Sequence, residues 1–147
     1  MATFARYADV EWTGTLMEGS GTAKAGTGAF SVPVTFPSRI SEKADDKTTP
    51  EELLAAAHAV CYAMVVTNTI GKQGGHAQRV RVTATVTGEK SDAGLKVVSS
   101  HLKVDVAGLQ GIDRAKIQEL AVGAEKGCPI SNAIRGSVAI TVEAQAS

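Results

Sequence analysis

The chain has 147 residues, 44% of them apolar, with fifteen basic residues set against fifteen acidic ones. That is enough to bury one core and too little for two, so a single domain spanning residues 1–147 is expected. The net charge is zero and no run of like charge occurs, which excludes the electrostatic footprint of a nucleic-acid binder or of a protein held on an anionic membrane.

In chain order, the opening MATFARYADVEW lacks the apolar core of a secretory signal, which predicts a cytoplasmic protein whose thiols stay reduced. Gly14, Gly19, Gly21, Gly26 and Gly28 then separate short alternating stretches, Val10 and Trp12 followed by Phe30, Val32 and Val34, and predict hairpins at a sheet edge, with Trp12 in the sheet core. Ser41 to Thr49 is polar and aperiodic, as an exposed loop would be.

A helix follows. Thr49 is placed to cap it, Pro50 suits its first position, and Glu52 stands where a capping box wants a carboxylate. From Leu53 to Ile70 nearly every face is apolar or small, and Gly71, Gly74 and Gly75 supply the stop. The most apolar part, Leu53 to Val66, is short of the roughly 20 residues that a bilayer requires and is interrupted by His58, so a buried helix covered on all sides is expected.

Val80, Val82, Ala84 and Val86 alternate with Arg81, Thr83, Thr85 and Thr87, which predicts a strand with one buried face, and Leu95 to Val106 alternates likewise. Lys90 to Gly94 has the composition of the turn between them. A second helix is expected from Asp113 to Lys126, stopped by Gly127. A short third helix should start with Cys128 as cap and Pro129 at its first position, and Ser137 to Glu143 should close the chain as a strand. Strands in hairpin rather than βαβ order around buried helices make the fold class α+β.

The chain has only two cysteines, Cys61 and Cys128, with no CxxC spacing, and its histidines, His58, His76 and His101, are scattered, so no metal site is expected. Cys128 at a helix start would enjoy N–H groups and a dipole that favour a thiolate. Cys61, in mid-helix among Ala57, Met64 and Val65, would be disfavoured as a thiolate by desolvation and would need a nearby cation. On these grounds alone, two inert core cysteines and a reactive pair both remain open readings.

The segments TPEELLAAAHAVCYAM and AEKGCPISNAI resemble, in order and length, the paired signature of the OsmC/Ohr proteins, the osmotically inducible and organic hydroperoxide resistance proteins. The likeness runs from the Trp12 region to the last strand, and the residues before Cys61 and around Cys128 are closer to the OsmC branch. Thr49 stands where an asparagine is usual, Val60 where an alanine is, and Tyr62 where a phenylalanine is, and all three keep the cap or the apolar character. The resemblance implies an α+β fold with antiparallel sheets around a long central helix, in an intertwined homodimer. It implies no cofactor, an organic hydroperoxide as substrate, hydrogen peroxide as a weaker one, and a dithiol reductant carried by a lipoylated protein.

It further implies that Cys61 is the peroxidatic thiol and Cys128 the resolving one, with Arg39 as the cation and Glu51 as the carboxylate that orients it. Glu51 and Cys61 are ten residues apart on one helix, or roughly 15 Å at 1.5 Å per residue, so Arg39 or Glu51 is expected to act across the dimer interface. His58 is expected to be a satisfied core histidine, and His76 and His101 surface residues. Met64, Val65 and Leu54 would form an apolar wall for an alkyl peroxide. Competing functions are a redox-responsive binding protein and a small-ligand carrier with inert cysteines.

Overall fold

The computed structural model describes residues 1–147, which fall into two compact units, 1–50 and 51–147. In the first, β1 (Ala8–Thr13), β2 (Ser20–Ala25) and β3 (Ser31–Val34) form an antiparallel meander, the expected hairpins. Trp12 pairs with Gly21, and a Cβ on Gly21 would stand 2.7 Å from the indole ring, so glycine is what lets the ring lie on the neighbouring strand. The ring is nonetheless 37% exposed and its Nε1 donates to the Thr15 carbonyl at 3.3 Å. Trp12 is therefore not the core residue that its sequence context predicted.

The first unit also holds a helix that periodicity missed, α1 (Phe36–Ile40), because five residues are too few to show a period. Its local signals are present: the Thr35 hydroxyl accepts from the Ser38 N–H at 3.3 Å, and Pro37 sits in the first turn. Residues 41–49 are the expected loop, tied down where Asp45 accepts from the Ser38 hydroxyl at 2.6 Å and where the Thr48 N–H donates to the Pro33 carbonyl at 2.9 Å.

The second unit opens on α2 (Pro50–Lys72). Its start agrees with the sequence, but Gly71 remains helical; the chain leaves the helix at Gly74, whose φ of +78° only glycine adopts readily, while the Gly75 N–H returns to the Ile70 carbonyl at 3.0 Å. At 23 residues α2 is longer than the apolar stretch alone implied, and by length and composition it would suffice to cross a membrane. It buries one stripe, His58, Tyr62, Val66 and Ile70, at intervals of four, and packs it on Leu102, Val104 and Val106. The expectation that it is covered on every side does not hold within one chain: Val60 is 57% exposed and Met64 67%.

β4 (Arg79–Ser91) and β5 (Gly94–Ala107) form the predicted hairpin, with a bulge at Thr87 and Gly88. β6 (Ala139–Ala146) pairs with β5 in parallel, not as a further hairpin. Parallel neighbours require a crossover, so the helices between β5 and β6 are that connection and the order is not purely hairpin. β5 is central and supplies Leu102, Val104 and Val106, all buried, at the period of two that a strand dictates.

The helix expected over Asp113 to Lys126 is three pieces. A 3-10 turn, Arg114–Lys116, is capped by Asp113, which accepts from the Ala115 N–H at 3.0 Å; α3 (Ile117–Ala124) follows, and a second 3-10 turn spans Glu125–Gly127. Where α3 tightens, the Glu125 N–H goes to Val122 rather than to Ala121. The buried Tyr62 hydroxyl donates to that Ala121 carbonyl, joining α2 to α3. Replacing Tyr62 by phenylalanine is expected to cost about 1–3 kcal/mol of unfolding free energy, because a buried carbonyl loses its donor. Urea denaturation of the Tyr62→Phe variant measures this, and a loss under about 0.5 kcal/mol would show the bond to be replaceable.

Candidate active site

α4 (Pro129–Ile134) begins as the sequence indicates, with Cys128 as N-cap and Pro129 in the first turn. Cys128 Sγ does what a serine or aspartate oxygen does at other helix starts, accepting from the Ser131 N–H at 3.4 Å. Cys61 lies in the fourth turn of α2, one position before the buried Tyr62. These two elements bring the sulfurs to 3.3 Å, with Cys128 buried, Cys61 half-buried and both thiols free. A disulfide has an S–S length of about 2.05 Å, so closing the pair takes about 1.3 Å of approach.

Burial is the first influence on the Cys61 thiol and pushes its pKa up; the Ile130 peptide N–H pulls it down, and the neighbouring Cys128 pushes it up again. Burial and Cys128 thus favour the thiol form, while the first turn of α4 favours the thiolate.

Between the two helices stands His58, fully buried. One ring nitrogen, Nδ1, is 2.7 Å from the Ser100 hydroxyl on β5, and the other, Nε2, is 2.7 Å from the Ser131 hydroxyl on α4. Burial lowers the His58 pKa, with Glu125 opposing, which favours the neutral ring; a neutral imidazole has one donor and one acceptor, a match for two hydroxyls. The expectation of a satisfied core histidine is met. Ser100 and Ser131 had no place in the sequence reading, although a signal existed: Ser100 stands in the inward phase of β5 with Leu102 and Val104, where a polar side chain requires a partner.

The remaining predicted residues lie elsewhere. Glu51 is in the first turn of α2, its side chain beside Gly88 at the bulge of β4, and ten helical residues put it roughly 15 Å from Cys61 along the axis. Arg39 is on α1 in the first unit, where with Trp12, Leu16 and Phe36 it lines a cavity of about 160 Å³. Of the expected apolar wall, Val65 packs with Cys61 against the core and Leu54 is half-buried, but Met64 belongs to the open stripe of α2. A groove of about 660 Å³ along α2 and α3 begins at Val65 and Gly127, the near neighbours of the two cysteines, and ends at Lys72 and Lys116. His76 and His101 are on the surface as expected, His101 bonded to Thr141 at 2.7 Å.

A fold of two three-stranded sheets and one long helix, with a cysteine of that helix against a cysteine-capped helix start, defines an α+β protein of the kind that the sequence resembles. Residues 43–143 match the sequence model of the OsmC-like protein family, and the chain belongs to that family. It is 30% identical over 139 residues to Peroxiredoxin OsmC of Escherichia coli (strain K12), covering 94% of this chain and 95% of the relative. It is also 30% identical over 102 residues to the organic hydroperoxide resistance protein OhrB of Bacillus subtilis (strain 168), covering 65% and 68%. Among solved structures, an organic hydroperoxide resistance protein from Elizabethkingia anophelis superimposes over 100% of both chains with a TM-score of 0.77 at 24% identity. The B. subtilis OhrB structure does so over 95% of this chain and 98% of its own with a TM-score of 0.71 at 25% identity.

The buried His58 carries a pH prediction. Its folded pKa lies below the unfolded value of about 6.5, so the unfolded chain binds the proton more readily, and stability present above pH 6.5 is lost as pH falls below it. Thermal unfolding between pH 7.5 and 5 should fall more steeply for the wild type than for His58→Gln. Parallel curves would mean that His58 does not titrate differently on unfolding.

Proposed function

We propose that this chain is a cysteine-based peroxidase that reduces organic hydroperoxides, and hydrogen peroxide more slowly, with Cys61 as the attacking thiol and Cys128 as the resolving one. The observation that carries the reading is the 3.3 Å approach of two free thiols, one on each of two helices. The names of the relatives, a peroxiredoxin and organic hydroperoxide resistance proteins, support the reaction class.

In the proposed cycle the Cys61 thiolate attacks one peroxide oxygen, the O–O bond breaks, and the alkoxide leaves and takes a proton to become the alcohol. Cys61 is then a sulfenic acid. The Cys128 sulfur attacks the Cys61 sulfur, the S–O bond breaks, and water departs as the disulfide forms, which stops the ascent to the irreversible sulfinic acid. An external dithiol, proposed to be carried by a lipoylated protein, exchanges with the disulfide and returns both thiols.

Burial opposes the Cys61 thiolate, so the reaction requires a cation. On the family resemblance we assign that part to Arg39, which would also donate to the departing alkoxide, and we assign Glu51 to orient Arg39. The roughly 15 Å between Glu51 and Cys61 along α2 supports an arrangement in which one of the two groups acts across a homodimer interface. The open stripe of α2, with Val60 and Met64, supports such a homodimer, since apolar side chains on a long helix gain most when a partner covers them. The neutral charge balance supports work on small uncharged substrates rather than on nucleic acid or an anionic membrane.

Steady-state reduction of cumene hydroperoxide with dihydrolipoamide as electron donor tests the assignment. Cys61→Ser is expected to abolish turnover. Cys128→Ser should retain a single burst and then stop as Cys61 over-oxidises. Arg39→Gln should lose about 10²-fold in rate, the usual cost of one donor to a developing oxyanion. Full turnover in Cys61→Ser would overturn the proposal.

A further inference from the structure

The peroxidase chemistry proposed above makes no use of His58, yet it is the most completely bonded polar side chain near the sulfurs. It is fully buried and stands three residues before Cys61 on α2, with one ring nitrogen 2.7 Å from Ser100 of β5 and the other 2.7 Å from Ser131 of α4. Ser131 in turn gives its N–H to Cys128 Sγ at 3.4 Å. A short, continuous set of contacts therefore runs from the helix of one cysteine to the cap formed by the other. We infer that His58 is a positioning residue for resolution: it fixes α4 against α2 and β5, and so sets the rate and equilibrium of the Cys61–Cys128 bond without taking part in the attack on peroxide.

Geometry makes this role separable from attack. α4 has six residues, too few to hold its own conformation, and its other side-chain ties stay within it or run to the turn before it: Arg135 bonds Asn132 and Glu125 at 2.5 Å each, and the Asn132 amide donates to the Lys126 carbonyl at 3.1 Å. Arg135 is 44% exposed and Glu125 15%, and none of these ties reaches α2 or β5; the His58 bridge is fully buried and reaches both, so that a lost partner leaves an unsatisfied hydroxyl. Cys61 keeps its own place on the long helix α2 whether or not α4 is anchored. Attack by a second sulfur is steeply sensitive to its distance and direction, so freeing α4 lowers the effective concentration of Cys128 at Cys61; it also loosens the Ile130 N–H that favours the Cys61 thiolate, so the first step slows too, but by less.

The inference rests on the peroxidase reading for its kinetic arm but not for its equilibrium arm. Reduced wild type, His58→Ala, His58→Gln and Ser131→Ala are mixed with one equivalent of cumene hydroperoxide, and Cys61 thiol loss and disulfide formation are followed by acid quench and mass analysis. Thiol loss should stay within about threefold of wild type in every variant. Disulfide formation should slow at least tenfold in His58→Ala and Ser131→Ala, with sulfinic acid accumulating under excess peroxide, and His58→Gln, which keeps a donor and an acceptor, should recover much of the loss. In parallel, the disulfide of each variant is equilibrated against reduced and oxidised dithiothreitol, which needs no peroxidase activity. A tenfold or larger fall in the equilibrium constant for His58→Ala and Ser131→Ala supports the inference. An unchanged equilibrium overturns it, as does equal slowing of both kinetic phases. If peroxide fails to oxidise Cys61 in the wild type, the peroxidase reading falls and the dithiothreitol equilibrium alone decides the role of His58.

Discussion

The arrangement of this chain depends on holding two cysteines at 3.3 Å without joining them, on helices of very different strength. α2 runs for 23 residues and is pinned through Tyr62, Val66 and Ile70 to the central strand β5. α4 is a single turn and a half that exists because Cys128 caps it, Pro129 starts it and buried contacts anchor it. A helix of six residues is too short to be stable on its own, and the polar contacts between α4, α2 and β5 tie it to the rest of the unit.

The same burial that fixes the pair works against its chemistry. Removing Cys61 from water raises its pKa and favours the unreactive thiol, while the Ile130 N–H pushes the other way. A cation is the remaining requirement, which is why the assignment of Arg39 carries so much of the proposed mechanism and why the open stripe of α2 matters. Val60 and Met64 are exposed on that stripe, and the proposed homodimer would cover them and could bring a charged group to the site.

Much of this was legible in the sequence where the signal is local. The start of α2 at Pro50, the capping of α4 by Cys128 and the β4–β5 hairpin follow from cap and turn chemistry and from a period of two. Elements whose form is set by distant neighbours were not legible. The parallel pairing of β6, the breaking of the Asp113–Lys126 helix into three pieces and the exposure of Trp12 depend on which layer each segment meets. In the site, the two cysteines were nameable by resemblance, but their contact was not derivable from a spacing of 67 residues. The His58 network lay between these cases, since His58 and Ser100 are polar residues in the buried phases of a helix and a strand, and two such residues must find each other or water.

The central claim is that Cys61 and Cys128 form a working redox pair, and the direct test is a rapid-mixing titration of fully reduced protein with one equivalent of an alkyl hydroperoxide, beside one of hydrogen peroxide, followed by peptide mass analysis. The account predicts fast stoichiometric loss of both thiols into a Cys61–Cys128 disulfide, faster with the organic peroxide. Oxidation no faster than that of a free thiol, or a product in which Cys128 stays reduced, would contradict it.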